Sequence, residues 1–305
     1  MKIRTVSIIG LGALGILFSN QLSKKMNFEN LRTIADENRI EKYKRELIYC
    51  NNEICNFQYI TPETKSTPAD LVIFAVKFNA LKAAIMSASN QIGENTIILS
   101  ALNGISSEEI IGNAFGIDKV LYCVAQGMDA VKADNHLTYS NKGILCFGEK
   151  EANIISEKVQ RVANFFDSVD FPYEAVTNMY KRQWGKLMLN VGVNQTVAVY
   201  EGNYGTIQKE GPARDTMINS MKEVMALSSF EGVTLTDEDL KYWLSVLDTL
   251  SPDGKPSMRQ DLENHRFSEV ELFSGTIIKI GQKYEIQTPV NQILYNQIKD
   301  IEKTF

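Results

Sequence analysis

Apolar and polar positions change their rhythm once along this chain of 305 residues, near residue 177. Before that point, short runs rich in β-branched and other apolar residues at 4–9, 31–35, 71–75, 96–100 and 120–125 alternate with stretches of helical period at 13–25 and 79–91. Runs of this length bounded by turn residues read as buried strands. Strands alternating with helices imply βαβ units around a parallel sheet covered on both faces. Residues 137–140 and 143–147, separated by Asn141 and Lys142, read as a hairpin added at the sheet edge. A helix over 151–166 and a short strand over 171–175 close this part.

Beyond residue 178 nearly everything carries helical period: 181–199, 212–229, 237–247, 260–284 and 289–305. The main interruption, at 248–256, contains Ser251-Pro252-Asp253-Gly254. The expected architecture is α/β, an N-terminal Rossmann-type doubly wound domain over 1–177 followed by an all-α C-terminal domain over 178–305.

A hydrophobic content of 44% and a charged content of 23% are those of a soluble globular protein. The formal net charge of −5 argues against nucleic acid or an anionic membrane as the main partner. No run reaches the roughly eighteen continuous apolar residues that a membrane span requires. The first residues, basic and then apolar, look superficially like a signal peptide. Three glycines interrupt the run, however, and no small-residue cleavage site follows, so a cytoplasmic location is expected. Cys50, Cys55, Cys123 and Cys146 are scattered, and His136 and His265 lie far from them along the chain. Reduced, structural cysteines and no metal site are expected.

Gly10-Leu11-Gly12-Ala13-Leu14-Gly15 is a GxGxxG motif placed directly after an apolar strand and directly before a helix. That context is what the motif needs physically. The first glycine makes the tight turn, the second lets the backbone approach a pyrophosphate, and the third allows close helix–strand packing. The helix N-terminus adds N–H donors and a positive dipole end. Asp36 ends the second strand, where an acidic side chain bonds the adenine ribose and suits NAD(H). Arg39 follows closely and could instead pair with a 2′-phosphate, or be an ordinary exposed helix residue. Lys77 and Asn103-Gly104 each follow a strand at the sheet end that faces the ligand crevice of such folds. As bland alternatives, Lys77 starts a helix on the surface and Asn103 is a turn residue.

Farther along, Lys186, Asn190 and Asn194 are spaced four apart on an otherwise apolar stretch that includes Leu187, Met188, Leu189, Val191 and Val193. On a helix these positions form one slowly drifting stripe. Buried without partners, such groups cost roughly 1–3 kcal/mol each, and a charge costs more. A ligand is the economical partner. Near the C-terminus, Ser257 opens a helical segment and Glu269 lies twelve residues beyond it. Taken singly, Ser257 is an ordinary helix cap and Glu269 a solvated face residue.

Taken together, these residues resemble the ketopantoate reductase (2-dehydropantoate 2-reductase) family. The resemblance rests on the glycine loop, Asn103-Gly104, Trp184-x-Lys186-Leu187-x-x-Asn190-x-x-x-Asn194, and Ser257-Met258 with Glu269, which span nearly the whole chain in the family's order and spacing. It implies a dinucleotide-binding Rossmann domain, a helical substrate domain, and a site in the cleft. Lys186 would be the general acid that protonates the carbonyl oxygen as hydride arrives from NAD(P)H, polarising the ketone as it does so. Glu269 would keep Lys186 charged and oriented, close to the cofactor. Asn190 and Asn194 would bond the substrate's hydroxyl and keto-acid groups, and Ser257 its carboxylate. Asn103 and Lys77 would line the nicotinamide and its ribose. The resemblance favours NADP(H), while Asp36 leaves NAD(H) open.

The chain departs from the family pattern at two substrate-side positions. Tyr204 stands where another asparagine is frequent, with Asn203 beside it, and Gly254 replaces an asparagine three residues before Ser257. The implied reaction is reduction of a 2-oxo acid, foremost ketopantoate to pantoate in pantothenate biosynthesis. A related reductase for another branched or hydroxylated 2-oxo acid, a general β-hydroxyacid dehydrogenase and a non-catalytic dinucleotide-binding protein are the alternatives. A small-molecule partner is expected, with neither nucleic acid nor membrane, and a homodimer is as compatible as a monomer.

Overall fold

Strand β1 (Val6–Ile9) is buried at all four positions. A central parallel strand meets helices on both faces, so its side chains must be apolar or small whichever way they point. The computed structural model describes residues 2–305. They divide into two compact units. The first runs to Leu102 and resumes over Ser106–Met179; the second joins Asn103–Ile105 to Tyr180–Phe305.

In the first unit β1 is followed by α1 (Ala13–Ser23), β2 (Leu31–Ile34), α2 (Glu37–Glu46), and the short strands β3 (Ile48–Cys50), β4 (Glu53–Cys55) and β5 (Gln58–Ile60). Then come β6 (Leu71–Phe74), α3 (Leu81–Ala88), β7 (Ile97–Ser100), α4 (Ser107–Phe115) and β8 (Val120–Gln126). The unit finishes with β9 (Val131–Ala133), β10 (His136–Thr138), β11 (Ile144–Gly148), α5 (Glu157–Ser168) and β12 (Tyr173–Ala175). The main sheet has eight strands in the order β12-β11-β8-β7-β6-β1-β2-β5. From β5 to β8 every neighbouring pair is parallel, and β11 then runs antiparallel to β8.

Alternate side chains of these strands feed two cores. Ile8, Leu71, Ile73 and Leu99 pack with Ile16, Leu17, Phe18 and Leu22 of α1. Ile9, Val72, Phe74 and Ile98 pack with Leu81, Ala84 and Ile111 from α3 and α4. The fold is thus the expected Rossmann-type α/β sheet, and strand order reverses between β1 and β6. Such a reversal opens a crevice at the carboxyl ends of the strands.

The hairpin expected at 137–147 does not form. Strand β10 pairs with β9 and with β3 in a separate four-stranded sheet of order β4-β3-β10-β9, while β11 joins β8 in the main sheet. The Asp129 carboxylate accepts the backbone N–H groups of Ser140 and Asn141 and turns the chain away between the two strands. The helix expected from residue 151 begins at Glu157, where the Ser156 hydroxyl accepts the Val159 N–H as its cap. Helix α4 and strands β3, β4, β5 and β9 have no counterpart in the sequence reading, and α2 enters it only as the helix that could carry Arg39.

The second unit is helical: α6 (Met179–Val199, its first residue in the first unit), α7 (Tyr204–Gln208), α8 (Pro212–Ser228), α9 (Asp237–Asp248), α10 (Ser257–Glu263), α11 (Ser274–Lys283) and α12 (Pro289–Glu302). A Cβ on Gly192 of α6 would lie 2.6 Å from Met221 Cγ of α8, so glycine there permits the close approach. The buried Asn291 accepts the Ser274 hydroxyl and donates to Ser220 O and Glu223, tying α8, α11 and α12 together. The long helix expected over 260–284 is interrupted between α10 and α11. Asn264 folds its amide back onto Gln260 O, His265 adopts φ +50°, and the buried Glu302 of α12 captures the N–H and hydroxyl of Ser268. No helix among the described residues is long and apolar enough to cross a membrane.

Candidate active site

Two clusters emerge, one in each unit. In the first, the loop from Gly10 to Gly15 leaves β1 and enters α1. Gly10 has φ +99°, and a Cβ there would lie 2.6 Å from Ala75 O and Val76 Cγ1. At Gly15 a Cβ would run into the carbonyl oxygen of Gly10. Both glycines are therefore demanded by the protein's own packing. Gly12 differs: it is exposed, has φ −74°, and a Cβ would meet nothing nearer than Ala75 O at 3.8 Å. The space beside it is open, which is what close approach of a pyrophosphate requires. Gly12 precedes α1, whose first N–H groups, from Ala13, Leu14 and Gly15, have no intrahelical acceptor. Leu11 is buried between the first two glycines. A dinucleotide phosphate fits this cradle.

Asp36 lies two residues past β2 and caps α2, accepting the Arg39 N–H at 2.9 Å. The Arg39 guanidinium also returns to it at 3.3 Å. The two side chains that point to opposite cofactor preferences are thus a pair. Lys77 follows β6, the strand across the switch point from β1, and stands exposed at the start of a short 3₁₀ turn. Lys132 of β9 lies beyond the reach of motif reading: its Nζ donates to Leu11 O at 3.0 Å, across 121 positions of chain. No local signal marks it, because the β9–β10–β3 pairing that carries it is long-range.

In the helical unit, Lys186, Asn103 and Glu269 form a line. Lys186 Nζ donates to Asn103 Oδ1 at 3.2 Å, and Asn103 Nδ2 donates to Glu269 Oε2 at 3.2 Å. An ammonium only donates and a carboxylate only accepts, so the amide has one orientation. Asn103 thus links the expected acid and the expected carboxylate through its amide. Glu269 lies in the break between α10 and α11, and the break is what brings it there. Gly104, at φ +90°, takes Leu272 so closely that a Cβ would lie 2.7 Å from Leu272 Cδ1. That contact seats Asn103 against the segment carrying Glu269.

A second line runs through the other stripe residues. Asn194, 7% exposed, accepts the Ser257 hydroxyl at 3.2 Å and the Met258 N–H at 3.4 Å, and donates to Asn190 Oδ1 at 3.4 Å. Its amide oxygen is occupied within the protein. Asn190 Nδ2 has no protein acceptor among the described residues, and the Ser257 oxygen retains its lone pairs. Ser257 is the first residue of α10, not its cap; Pro256 occupies the cap position. Nearby, Tyr204 N–H donates to Gly254 O at 2.9 Å and Gly205 N–H to Pro252 O at 2.8 Å. A Cβ on Gly254 would lie 3.0 Å from Tyr204 Cδ2 and Cε2, so the ring lies across the glycine. Burial pushes the Tyr204 phenol up to about 12.

Chemically, an ammonium held by an amide beside a carboxylate can polarise a carbonyl and give it a proton. Amide and hydroxyl groups alongside can orient a polar acid.

Comparison with known proteins assigns a family to these two clusters. The model described as ketopantoate reductase PanE/ApbA matches residues 6–152, and that of its C-terminal part matches residues 178–302. A 2-dehydropantoate 2-reductase of Aquifex aeolicus is 24% identical over 297 residues, covering 96% of this chain and 95% of the relative. Among solved structures, a PanE/ApbA family ketopantoate reductase from Ralstonia eutropha JMP134 superposes with a TM-score of 0.83 at 22% identity, covering 98% and 99% of the two chains. D-mandelate dehydrogenase with NADH and anilino(oxo)acetate superposes with a TM-score of 0.85 at 20% identity, again covering 98% and 99%. These structural likenesses concern the fold.

Proposed function

Because the chain belongs to the ketopantoate reductase PanE/ApbA family, oxidoreductases acting on 2-oxo acids, we propose that it reduces 2-dehydropantoate to pantoate in pantothenate biosynthesis, with Lys186 as the general acid. The observation that carries this reading is the Lys186–Asn103–Glu269 line. The Gly10–Gly15 loop would hold the pyrophosphate of a nicotinamide dinucleotide, which would supply the hydride for C2 of the oxo acid. By the family resemblance Lys77 would serve the nicotinamide ribose.

Lys186 Nζ bonds the keto oxygen and passes it a proton as that oxygen becomes an alkoxide. One hydride and one proton convert the ketone to the alcohol, and solvent returns the proton to the amine. Asn103 aims the ammonium, and through its amide Glu269 favours the charged lysine before transfer. Asn190 and Ser257 take the polar end of the acid, while Asn194 holds those two groups at their spacing.

A second reading concerns the substrate alone. Tyr204 lying over Gly254 puts an aromatic wall where the family pattern has amides, which favours a 2-oxo acid with a bulkier, less polar side chain. The D-mandelate dehydrogenase neighbour holds anilino(oxo)acetate, an aryl-bearing ligand, on the same fold.

One experiment tests both readings: NADPH and NADH oxidation with 2-dehydropantoate, phenylglyoxylate and a panel of aliphatic 2-oxo acids, in wild type and Lys186→Ala. Turnover of 2-dehydropantoate, lowered at least about 10²-fold by Lys186→Ala with nucleotide binding nearly unchanged, is the expected result. Strong turnover of another oxo acid with none on 2-dehydropantoate removes the preferred substrate. Undiminished turnover in the variant removes Lys186 from the chemistry.

A further inference from the structure

Helix α11 begins without a cap of its own. Phe273 stands at its cap position and makes no side-chain hydrogen bond to the first turn. An apolar residue there leaves the opening N–H groups of the helix to find acceptors elsewhere. The Ser274 N–H finds one on another helix, donating to Gln195 Oε1 of α6 at 3.3 Å, while the Ser274 hydroxyl donates to Asn291 Oδ1 of α12 at 2.7 Å. All three side chains are fully buried. Gln195 Nε2 donates to Val191 O, one turn back on its own helix, at 2.8 Å. Both ends of this buried amide are therefore satisfied, and its oxygen is held toward α11.

Gln195 follows Asn194 directly, but a helix turns about 100° per residue, so it leaves the Lys186–Asn190–Asn194 stripe. What it anchors leads back to the site. Glu269 O accepts the N–H groups of Leu272 and Phe273, and Val270 O accepts that of Gly275. Residues 269–275 are thus one hydrogen-bonded turn continuous with α11. The carboxylate at its head accepts from Asn103, and Asn103 accepts from Lys186 of α6. On the other side of Glu269, Ser268 is held by Glu302. Gln195 supplies the second fixed point, and two points orient the turn between them.

We propose that Gln195 is a positioning residue for the reaction. By holding the Ser274 N–H it fixes the Glu269 turn to the helix that carries Lys186, and so keeps the carboxylate within hydrogen-bonding distance of Asn103. The inference rests on the reading of Lys186, Asn103 and Glu269 as the catalytic line. Gln195 touches none of those three groups; it acts through the backbone that presents Glu269. Such support matters because a displacement of about 1 Å at a reacting group can cost on the order of 10²-fold in rate.

The test combines kinetics and hydrogen exchange on the full-length protein, in wild type, Gln195→Met, Glu269→Gln and the double variant. Gln195→Met keeps the length of the side chain but offers no amide oxygen. With NADPH and 2-dehydropantoate it should lower kcat about tenfold and leave KM within about threefold. The alkaline limb of its kcat profile should move to lower pH, because a displaced Glu269 supports the charged Lys186 less. On the Glu269→Gln background the same substitution should cost no more than about twofold, since residues that act through one another do not add. Amide exchange at 270–273 should accelerate about tenfold while that of α10 stays as in wild type. Should Gln195→Met not fold, Gln195→Asn, one methylene short of Ser274, takes its place. A kcat loss that multiplies fully with that of Glu269→Gln, with the pH limb and the exchange unmoved, would overturn the proposal, as would wild-type kinetics in the variant. Wild type that reduces no 2-oxo acid would remove the functional reading and the positioning role with it, and exchange at 270–273 would then still report whether Gln195 holds the turn.

Discussion

Asn103 Nδ2 and Glu269 Oε2 meet at 3.2 Å across 166 positions of chain, and the same amide receives Lys186 on its other side. Asn103 therefore hydrogen-bonds both the Lys186 ammonium and the Glu269 carboxylate. Asn103→Ala should lower kcat on the order of 10- to 10²-fold, since it removes two charge-assisted hydrogen bonds of about 1.5–3 kcal/mol each. Steady-state kinetics with the preferred oxo acid check this. An unchanged kcat would mean that Glu269 acts without the amide.

The glycines of the loop should separate by what each one faces. Gly15→Ala forces a Cβ into Gly10 O and should lower the thermal midpoint by several degrees. Gly12→Ala meets only open space and should leave stability within about 1 kcal/mol while weakening nucleotide binding. Thermal unfolding and nucleotide titration of the two variants distinguish them. Similar stability losses in both would argue against a ligand beside Gly12.

Tyr204→Ala removes the ring that lies over Gly254. If that ring bounds the substrate's side chain, the ratio of kcat/KM between a bulky and a small 2-oxo acid should change by about tenfold, roughly the 10–200-fold scale of pocket discrimination. A uniform fall across the panel would confine Tyr204 to packing.

Acid should loosen the segment that carries Glu269. Burial pushes the Glu302 carboxyl up, but the bonds from Ser268 and the ion pair with Lys299 outweigh it and hold the group below its ordinary value. A carboxyl depressed in the folded state stabilises fully above its unfolded pKa of about 4.3, and that contribution is lost as pH falls through the lower folded value. Hydrogen exchange at Ser268–Phe273 should therefore accelerate below about pH 4 in wild type. Glu302→Gln should exchange faster at neutral pH and respond less to acid. Identical pH profiles in the two proteins would remove Glu302 as the clasp.

The parts legible in the sequence are those set by neighbours along the chain. Runs of apolar or small residues such as Val6–Ile9 and Leu71–Phe74 identify strands buried on both faces. The glycine loop announces its turn and helix, and the four-residue spacing of Lys186, Asn190 and Asn194 survives as one face of α6. What escaped depends on distant partners. Strand β10 turns to β9 and β3 instead of β11 because its pairing is decided by residues far from its own turn. The break before α11 has no proline or glycine to mark it; Glu302, 34 positions from Ser268, stabilises it. Lys132 reaches Leu11 by the same kind of long-range placement.

Tyr204 and Gly254 also constrain how such a site could have changed over time. A side chain at position 254 would place its first carbon 3.0 Å from the ring and 3.1 Å from Ser251 O, so a substitution there requires the ring to give way by a few tenths of an ångström, which a smaller residue at 204 makes easier. The reverse step, losing the ring first, leaves a gap but no clash. Passage between an asparagine pair and the Tyr–Gly pair is therefore easiest through an intermediate small at both positions. Of the two single steps from Tyr–Gly, a smaller residue at 204 should cost less strain than a larger one at 254.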